Sequence, residues 1–158
     1  MIDGLRRFPL ERRADARGWF SELARASALP KAIQQVNLSH SRRGVIRGLH
    51  YHERGQDDLF VCLAGMVRVV VLDRASGEAF CEDIGDANPV AIYVPGIHAH
   101  GYEALTDAIF AYLVTEEYDA ADPDEHGVPW DDQRVRHLWS VDQPILSARD
   151  AAVVQGPQ

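Results

Sequence analysis

The chain has 158 residues, with 16 Lys and Arg against 24 Asp and Glu and a formal net charge of −8 at pH 7. Hydrophobic residues make up 46% of it and charged residues 25%, which argues against a disordered chain, a collagen-like repeat or a disulfide-rich mini-protein. The length favours a single domain that spans residues 1–158, and the negative charge argues against binding to nucleic acid.

The N-terminal segment MIDGLRRFPLERR lacks the apolar centre of a signal peptide, and no apolar run reaches the roughly 18 residues of a membrane-spanning helix. The sequence therefore predicts a cytoplasmic protein without membrane association. Cys62 and Cys81 each lie in an apolar, strand-like run, which predicts two buried free thiols rather than a disulfide.

The predicted elements begin with a short helix near Ser21–Ala28, and another helix is expected near the end of the chain. Between them, short apolar segments bounded by turn residues predict the strands of an antiparallel sheet. These strands are Val45–Tyr51, Leu59–Leu63, Met66–Leu72, Ala79–Ile84, Val90–Val94 and Ala108–Tyr118. Their spacing of about 8 to 12 residues is typical of a sandwich or a jelly-roll barrel, whose mouth offers a ligand pocket.

The segment Met66–Leu72 is the most apolar of these strands. Val67, Val69 and Val71 form one face of it, and the opposite face is apolar apart from Arg68. A strand with two apolar faces is expected to lie between two layers of the fold.

Four of the seven histidines form two pairs, His50 with His52 and His98 with His100. Residues i and i+2 of a strand point to the same face, so both members of each pair are expected to project together. A single interior histidine usually forms only hydrogen bonds, but two such pairs facing one barrel also leave a metal site open.

Seven short motifs follow one another along the chain. They are Arg17–Glu22 (RGWFSE), Gln35–Ser39 (QVNLS), Gly44–Tyr51 (GVIRGLHY), His100–Tyr102 (HGY), Ala111–Tyr112 (AY), Gly127–Asp132 (GVPWDD) and Leu146–Asp150 (LSARD). In this order they resemble the dTDP-4-dehydrorhamnose 3,5-epimerase family. The resemblance implies an all-β, cupin-type jelly-roll barrel of antiparallel strands with a few short helices. It also implies a homodimer in which N-terminal strands cross to the partner subunit.

The resemblance further implies a reaction on a dTDP-4-keto-6-deoxyhexose, a nucleotide-diphosphate sugar. A proton leaves a carbon next to the ketone and another returns on the opposite face, which inverts C3, C5 or both, without a cofactor. His50 would be the base, Asp150 the carboxylate that orients it, and Tyr112 the acid. The residues implied in substrate binding are Arg17, Glu22, Gln35, Asn37, Arg47, His100 and Arg149.

The sequence departs from the family pattern at Asp58, which stands where the family has a lysine that stabilises the enolate oxygen. A carboxylate there would repel the developing enolate. His52 stands where the family commonly has glutamine. Together, His50, His52, Asp58 and His100 match the ligand order of metal-binding cupins and would suit one divalent transition metal.

Three hypotheses therefore remain. The first is a nucleotide-sugar epimerase with His50 as its base. The second is a metal-dependent cupin isomerase or oxygenase with His50, His52, Asp58 and His100 as ligands, so that His50 would not be free to act as base. The third is a catalytically silent relative that binds sugar nucleotides.

Overall fold

A computed structural model describes residues 2–153. Short strands dominate this part of the chain, with one short α-helix and two 3₁₀ turns. The strands are β1 (Arg6–Pro9), β2 (Arg13–Asp15), β3 (Gly18–Phe20), β4 (Gln35–Ser41), β5 (Ile46–Tyr51), β6 (Asp57–Ala64), β7 (Met66–Leu72), β8 (Ala79–Gly85), β9 (Val90–Pro95), β10 (Ala99–Ala104), β11 (Ala108–Val114) and β12 (His126–Gly127). The helix α1 is Ala148–Ala152, and the 3₁₀ turns are Ala26–Ala28 and Arg136–Leu138.

Two five-stranded sheets pack against each other. The first has the order β1-β9-β6-β11-β4 and the second the order β12-β5-β10-β7-β8, while β2 and β3 form a separate hairpin. Every pairing between these strands is antiparallel. The arrangement confirms the predicted all-β jelly roll. No helix within residues 2–153 has the length and apolar character to span a membrane.

Strand β7 has the two buried faces that its sequence predicts. Val67, Val69 and Val71 are fully buried in the cluster between the sheets, together with Phe60 and Phe110 of the opposite sheet. The other face of β7 contributes to a second cluster, in which Val70 and Leu72 pack with Val128, Val135 and Trp139 of the C-terminal segment. The second sheet is therefore covered on both sides, as the alternation of valines indicates.

The predicted helix near Ser21–Ala28 is wrong. Only Ala26–Ala28 forms a 3₁₀ turn, and none of its residues is buried. An isolated helix this short is marginal unless an apolar stripe packs against the core, and here only Leu23 and Leu29 reach a core cluster. The expected helix near the end of the chain is confirmed by α1.

Several boundaries also differ from the prediction. The strand expected over Ala108–Tyr118 ends at Val114, and the predicted set lacks six strands that the structure contains, namely β1, β2, β3, β4, β10 and β12. Cys62 is buried as expected, but the prediction for Cys81 is wrong because this thiol is exposed on β8. Both cysteines are free, as predicted.

Strands β5 and β10 are in close contact at two glycines, near a shift in their pairing register between His100 and Tyr102. A Cβ atom at Gly48, where φ is +121°, would lie 2.7 Å from the carbonyl oxygen of His100. A Cβ atom at Gly101 would overlap the carbonyl oxygen of Arg47. Only glycine therefore fits at these two positions.

Candidate active site

A cavity of about 390 Å³ opens between the two sheets. Its walls include His50, His52 and His100 from the second sheet and its edge, and Asp58 and Tyr112 from the first. A wider cleft of about 550 Å³ shares several of these residues, among them His52 and Tyr112. The predicted pocket at the mouth of the barrel therefore exists, and both members of the first histidine pair line it.

His50 and Asp150 form a hydrogen-bonded pair at one side of the cavity, with 2.7 Å between Nε2 and Oδ1. Helix α1 brings Asp150 there, because the Ser147 hydroxyl caps the helix by accepting a hydrogen bond from the Asp150 amide. Burial raises the pKa of Asp150, but the hydrogen bond and the charge of His50 outweigh it and lower this pKa below its ordinary value. The carboxylate is thus kept ionised beside the imidazole.

Two more charged groups contact this pair. The Arg149 guanidinium lies 3.0 Å from His50 Nε2 and forms an ion pair with Glu125, whose carboxylate is 3.9 Å from His50 Nδ1. Because Nε2 carries one proton or one lone pair, it either donates to Asp150 or accepts from Arg149. When it donates to Asp150, Nδ1 keeps a lone pair that can accept a proton.

Tyr112 approaches the cavity from the first sheet, on the central part of β11. Its strand neighbours are Asn37 of β4 and Phe60 of β6. Burial raises the pKa of the Tyr112 phenol, which keeps it protonated and able to act as an acid.

A second titratable cluster comprises His52, Asp58 and His100, all three buried. Strand β6 starts earlier than its sequence predicts, at Asp57, and thereby places Asp58 in the cavity wall. His100 Nε2 lies 3.4 Å from one Asp58 oxygen, and His52 Nε2 lies 4.0 Å from the other. The Gln56 amide nitrogen donates to His52 Nε2 at 3.0 Å and to Asp58 at 2.9 Å.

These contacts shift the pKa values of the cluster in opposite directions. Burial raises the pKa of Asp58, but the hydrogen bond and charge of His100 outweigh it and lower the value. Burial would lower the pKa of His100, yet the same bond to Asp58 raises it. The pKa of His52 is lowered by burial and by the neighbouring His100. The favoured state is an ionised Asp58 beside a charged His100, with a neutral His52.

The structure brings most of the predicted substrate-binding residues to the cavity or the cleft. Arg47 and His100 line the cavity, Gln35 and Asn37 line the cleft, and Arg149 lines both. Arg17 and Glu22 contribute to neither lining. Arg17 pairs with Asp15 at 2.6 Å, and Glu22 pairs with Arg25 at 2.7 Å, both on the exposed N-terminal segment.

Two predictions about the histidines need correction. Among residues 2–153, the group whose metal-binding atoms lie within 4.8 Å of one another is His52, Asp58 and His100, so the predicted inclusion of His50 is wrong. His50 instead turns to Asp150, because helix α1 supplies a carboxylate on that side. His98 does not project with His100. It precedes β10, and its Nε2 contacts the carbonyl oxygen of Asp3 at 3.0 Å.

Sequence reasoning missed Glu125, Gln56 and Tyr102 in the cavity wall. Glu125 lies two residues before the GVPWDD motif and Gln56 two before Asp58, so their position beside identified motifs was the available signal. Tyr102 stood in the HGY motif without a role. Its hydroxyl contacts those of Ser39 and Ser41 at 3.0 and 2.9 Å, and its ring stacks on Phe110.

A carboxylate-oriented histidine and a half-buried phenol on opposite walls of one cavity can remove and return a proton, so the fold has the groups that acid–base catalysis needs. The family model of the dTDP-4-dehydrorhamnose 3,5-epimerases matches residues 1–155. The chain therefore belongs to this family of isomerases, as its motifs indicate.

Similar proteins support the assignment. The spore coat polysaccharide biosynthesis protein SpsL of Bacillus subtilis is 36% identical over 150 residues, which cover 90% of this chain and 99% of the relative. The dTDP-4-dehydrorhamnose 3-epimerase of Streptomyces niveus is 35% identical over 163 residues, which cover 94% of this chain and 78% of the relative. The crystal structure of a 3,5-epimerase from Legionella pneumophila in complex with dTDP-4-keto-L-rhamnose superimposes with a TM-score of 0.86 at 30% identity. The superposition covers 96% of this chain and 87% of the Legionella chain.

Proposed function

We propose that this protein inverts one or both carbons next to the ketone of a dTDP-4-keto-6-deoxyhexose. The observation that carries the proposal is the 2.7 Å His50–Asp150 pair in a cavity whose opposite wall presents Tyr112. The named activities of the Streptomyces niveus and Legionella pneumophila relatives, a 3-epimerase and a 3,5-epimerase, support both the substrate class and the reaction.

In this proposal His50 Nδ1 takes the proton from the carbon while Nε2–H donates to Asp150. The electron pair of the broken C–H bond moves toward the keto oxygen and forms an enolate. Tyr112 donates a proton to the other face of the carbon, because it stands on the opposite sheet. His50 then releases its proton to solvent and the tyrosinate takes one up, which returns both groups to their starting states. Carbon is neither oxidised nor reduced overall, so the reaction consumes no redox cofactor. The ionised Asp150 stabilises the imidazolium that forms.

The groups along the cavity and the cleft suit a nucleotide-diphosphate sugar. Arg47 and Arg149 present guanidinium groups that match phosphate oxygens. Gln35 and Asn37 line the adjoining cleft and can hydrogen-bond a base or a sugar. We propose further that the whole chain forms one domain and acts in the cytoplasm.

The proposed assembly is a homodimer. Trp19 and Phe20 of the N-terminal hairpin are 56% and 61% exposed, and Val36 and Leu38 on the edge strand β4 are 66% and 68% exposed. An unpaired edge with outward apolar side chains favours contact with a second subunit. Such a contact would explain why Arg17, on the same hairpin, lies away from its own cavity.

The direct test is incubation with dTDP-4-keto-6-deoxyglucose in D₂O, followed by NMR of the sugar. The wild-type protein should incorporate deuterium at C3, C5 or both, and His50→Ala should abolish this exchange. His137→Ala, which alters an exposed histidine, is the matched control. Exchange that persists in His50→Ala refutes the assigned base. Tight nucleotide binding by the wild type without any exchange identifies a catalytically silent relative instead.

A mixing experiment tests the dimer and the placement of Arg17. Arg17→Ala and His50→Ala should each be inactive, but a refolded equal mixture should recover about a quarter of the wild-type activity, because half of the random dimers are mixed and each has one intact site. A monomeric protein in solution, or the absence of recovery, contradicts the proposal.

A further inference from the structure

The buried cluster of His52, Asp58 and His100 has no part in the proton transfer described above, although it faces the same cavity. The Nδ1 atom of His52 lies 2.5 Å from the carbonyl oxygen of Asp124, and Nδ1 of His100 lies 2.8 Å from that of His98. A carbonyl only accepts, so both Nδ1 atoms carry protons. Both Nε2 atoms therefore face the Asp58 carboxylate, where His52 presents a lone pair and His100 holds either the proton of its charged form or a lone pair for a cation.

Electron pairs that face one another in a buried space need a donor or a cation between them. The side-chain amide of Gln56 satisfies part of this need, because its nitrogen bridges His52 Nε2 and one Asp58 oxygen. Between His100 Nε2 and the other Asp58 oxygen, which are 3.4 Å apart, either the proton of a charged His100 or a bound cation can supply the positive charge. The three side chains are thus arranged around one point that favours positive charge.

We propose that His52, Asp58 and His100 bind one divalent transition-metal ion at the base of the cavity. Two imidazole nitrogens and one carboxylate oxygen suit Fe²⁺, Mn²⁺, Co²⁺, Ni²⁺ or Zn²⁺. Ligand atoms bonded at about 2.1 Å to one ion are separated by about 3.0 to 4.2 Å, depending on the bond angle. The 3.4 Å from His100 Nε2 to one Asp58 oxygen falls within this range, and His52 Nε2 lies 4.0 Å from the other oxygen of the same carboxylate. One ligand atom from each of the three residues lies within 4.8 Å of the other two, so a small closure around an ion brings them to bonding distance.

The backbone bonds to both Nδ1 atoms are the support that metal-binding histidines usually have, since they fix the ring orientation and leave Nε2 for the ion. When the ion binds, the Gln56 amide gives up its bridging position. Three protein ligands leave coordination positions open toward the cavity that all three side chains line. His50 is not a ligand, so the metal site and the His50–Asp150 base coexist in one cavity.

One consequence rests on the proposed function. The position of Asp58 is the one where the family has a lysine ammonium, and Lys31, the only lysine of this chain, pairs with Asp57 at 2.9 Å instead. The ion would supply positive charge beside the keto oxygen in place of that ammonium. In this way Asp58, which alone would repel an enolate, becomes the residue that holds the stabilising charge.

The test is metal binding by the full-length, untagged protein after removal of bound ions with a chelator. We expect isothermal titration with Co²⁺ and with Zn²⁺ to give one ion per chain, and the visible spectrum of bound Co²⁺ to differ from that of the hydrated ion. Asp58→Asn and His52→Gln should each weaken binding by at least about 10-fold, since loss of a direct ligand costs no less than loss of a supporting group. Asp142→Asn and His137→Ala, at exposed positions, should bind as the wild type does.

Circular dichroism establishes whether each variant is folded. If Asp58→Asn does not fold, His52→Gln alone tests the site. Failure of the wild type to bind Co²⁺ or Zn²⁺ at a 1:1 ratio overturns the site, as does equal binding by both ligand variants. The outcome is separate from that of the epimerase assay. Stoichiometric, ligand-dependent metal without deuterium exchange supports the site and refutes the proposed function, whereas exchange without metal does the reverse.

Discussion

Replacement of Asp150 by Asn is the sharpest single test of how the cavity works. Asparagine keeps the volume of the side chain and its capping contact through the backbone amide with Ser147, but it removes the charge that lies 2.7 Å from His50 Nε2. Proton abstraction makes His50 an imidazolium, and the carboxylate favours this charged form over the neutral ring. The variant should therefore lose rate in the proton-transfer step and retain substrate binding.

The size of the loss follows from the geometry of the pair. At 2.7 Å, opposite unit charges attract by about 6 kcal/mol at an effective dielectric constant of about 20 and by about 3 kcal/mol at about 40. The His50 side chain is 21% exposed, so solvent screens the pair and the smaller value applies. A barrier raised by about 3 kcal/mol slows the reaction on the order of 10²-fold.

The assay is the rate of deuterium incorporation from D₂O at saturating substrate, with KM measured in parallel. We expect kcat to fall on the order of 10²-fold with little change in KM. Asp142→Asn, at a carboxylate whose side chain is 96% exposed, is the matched control and should leave both constants unchanged. A loss of kcat below about 3-fold in Asp150→Asn would refute the argument that the charge of Asp150 stabilises the imidazolium.

Three further predictions concern the acid, the pH dependence and the core. Tyr112→Phe should still exchange deuterium into recovered substrate but form little inverted product by NMR, because the proton is still removed but is not returned on the opposite face. Full epimerisation by this variant would contradict the role of Tyr112 as the acid. The pKa of Asp150 lies below its ordinary 3.8, so the stability that its charge contributes is complete above that value and is lost as the pH falls through the native pKa. The difference in unfolding free energy between the wild type and Asp150→Asn should therefore narrow from about pH 6 toward about pH 3 in urea titrations. A difference that widens over this range would show that the charge of Asp150 is not what stabilises the wild type. Phe110→Ala should lower the unfolding free energy by about 3 to 5 kcal/mol in urea titrations, since this fully buried ring stacks on Tyr102 and contacts Phe60 edge to face. A loss below about 1 kcal/mol would show that neighbouring side chains fill the cavity.

The strands of the core were predictable because their sequences repeat a simple pattern. The valines of β7 reveal two buried faces, and the structure places those faces in two separate core clusters. Strand β4 was not predicted because its apolar side chains face outward and its polar side chains face the cleft, the reverse of the usual arrangement. Its polar side chains at Gln35 and Asn37 face the cleft, while Val36 and Leu38 face outward. Period-two alternation reveals two faces but not which face is inside.

The candidate site was predictable only where a motif carried it. His50 and Asp150 are 100 residues apart in sequence, and no local pattern pairs them, so only the family resemblance suggested their contact. The alternation rule placed His50 and His52 in one cavity, but it could not show that their rings turn to different partners. That choice depends on helix α1 and on the Asp124 carbonyl, both distant in sequence.

The close approach of Gly48 and Gly101 limits the substitutions that the strands around this site can tolerate. Neither residue has a side chain, yet Gly48 and Gly101 belong to the two strands that carry His50 and His100, whose Cα atoms are direct cross-strand partners. A methyl group at either position would force the strands apart and move the base relative to the histidine cluster. In a saturation mutagenesis experiment these two positions should tolerate as few replacements as the histidines themselves, although they supply no chemical group to the reaction.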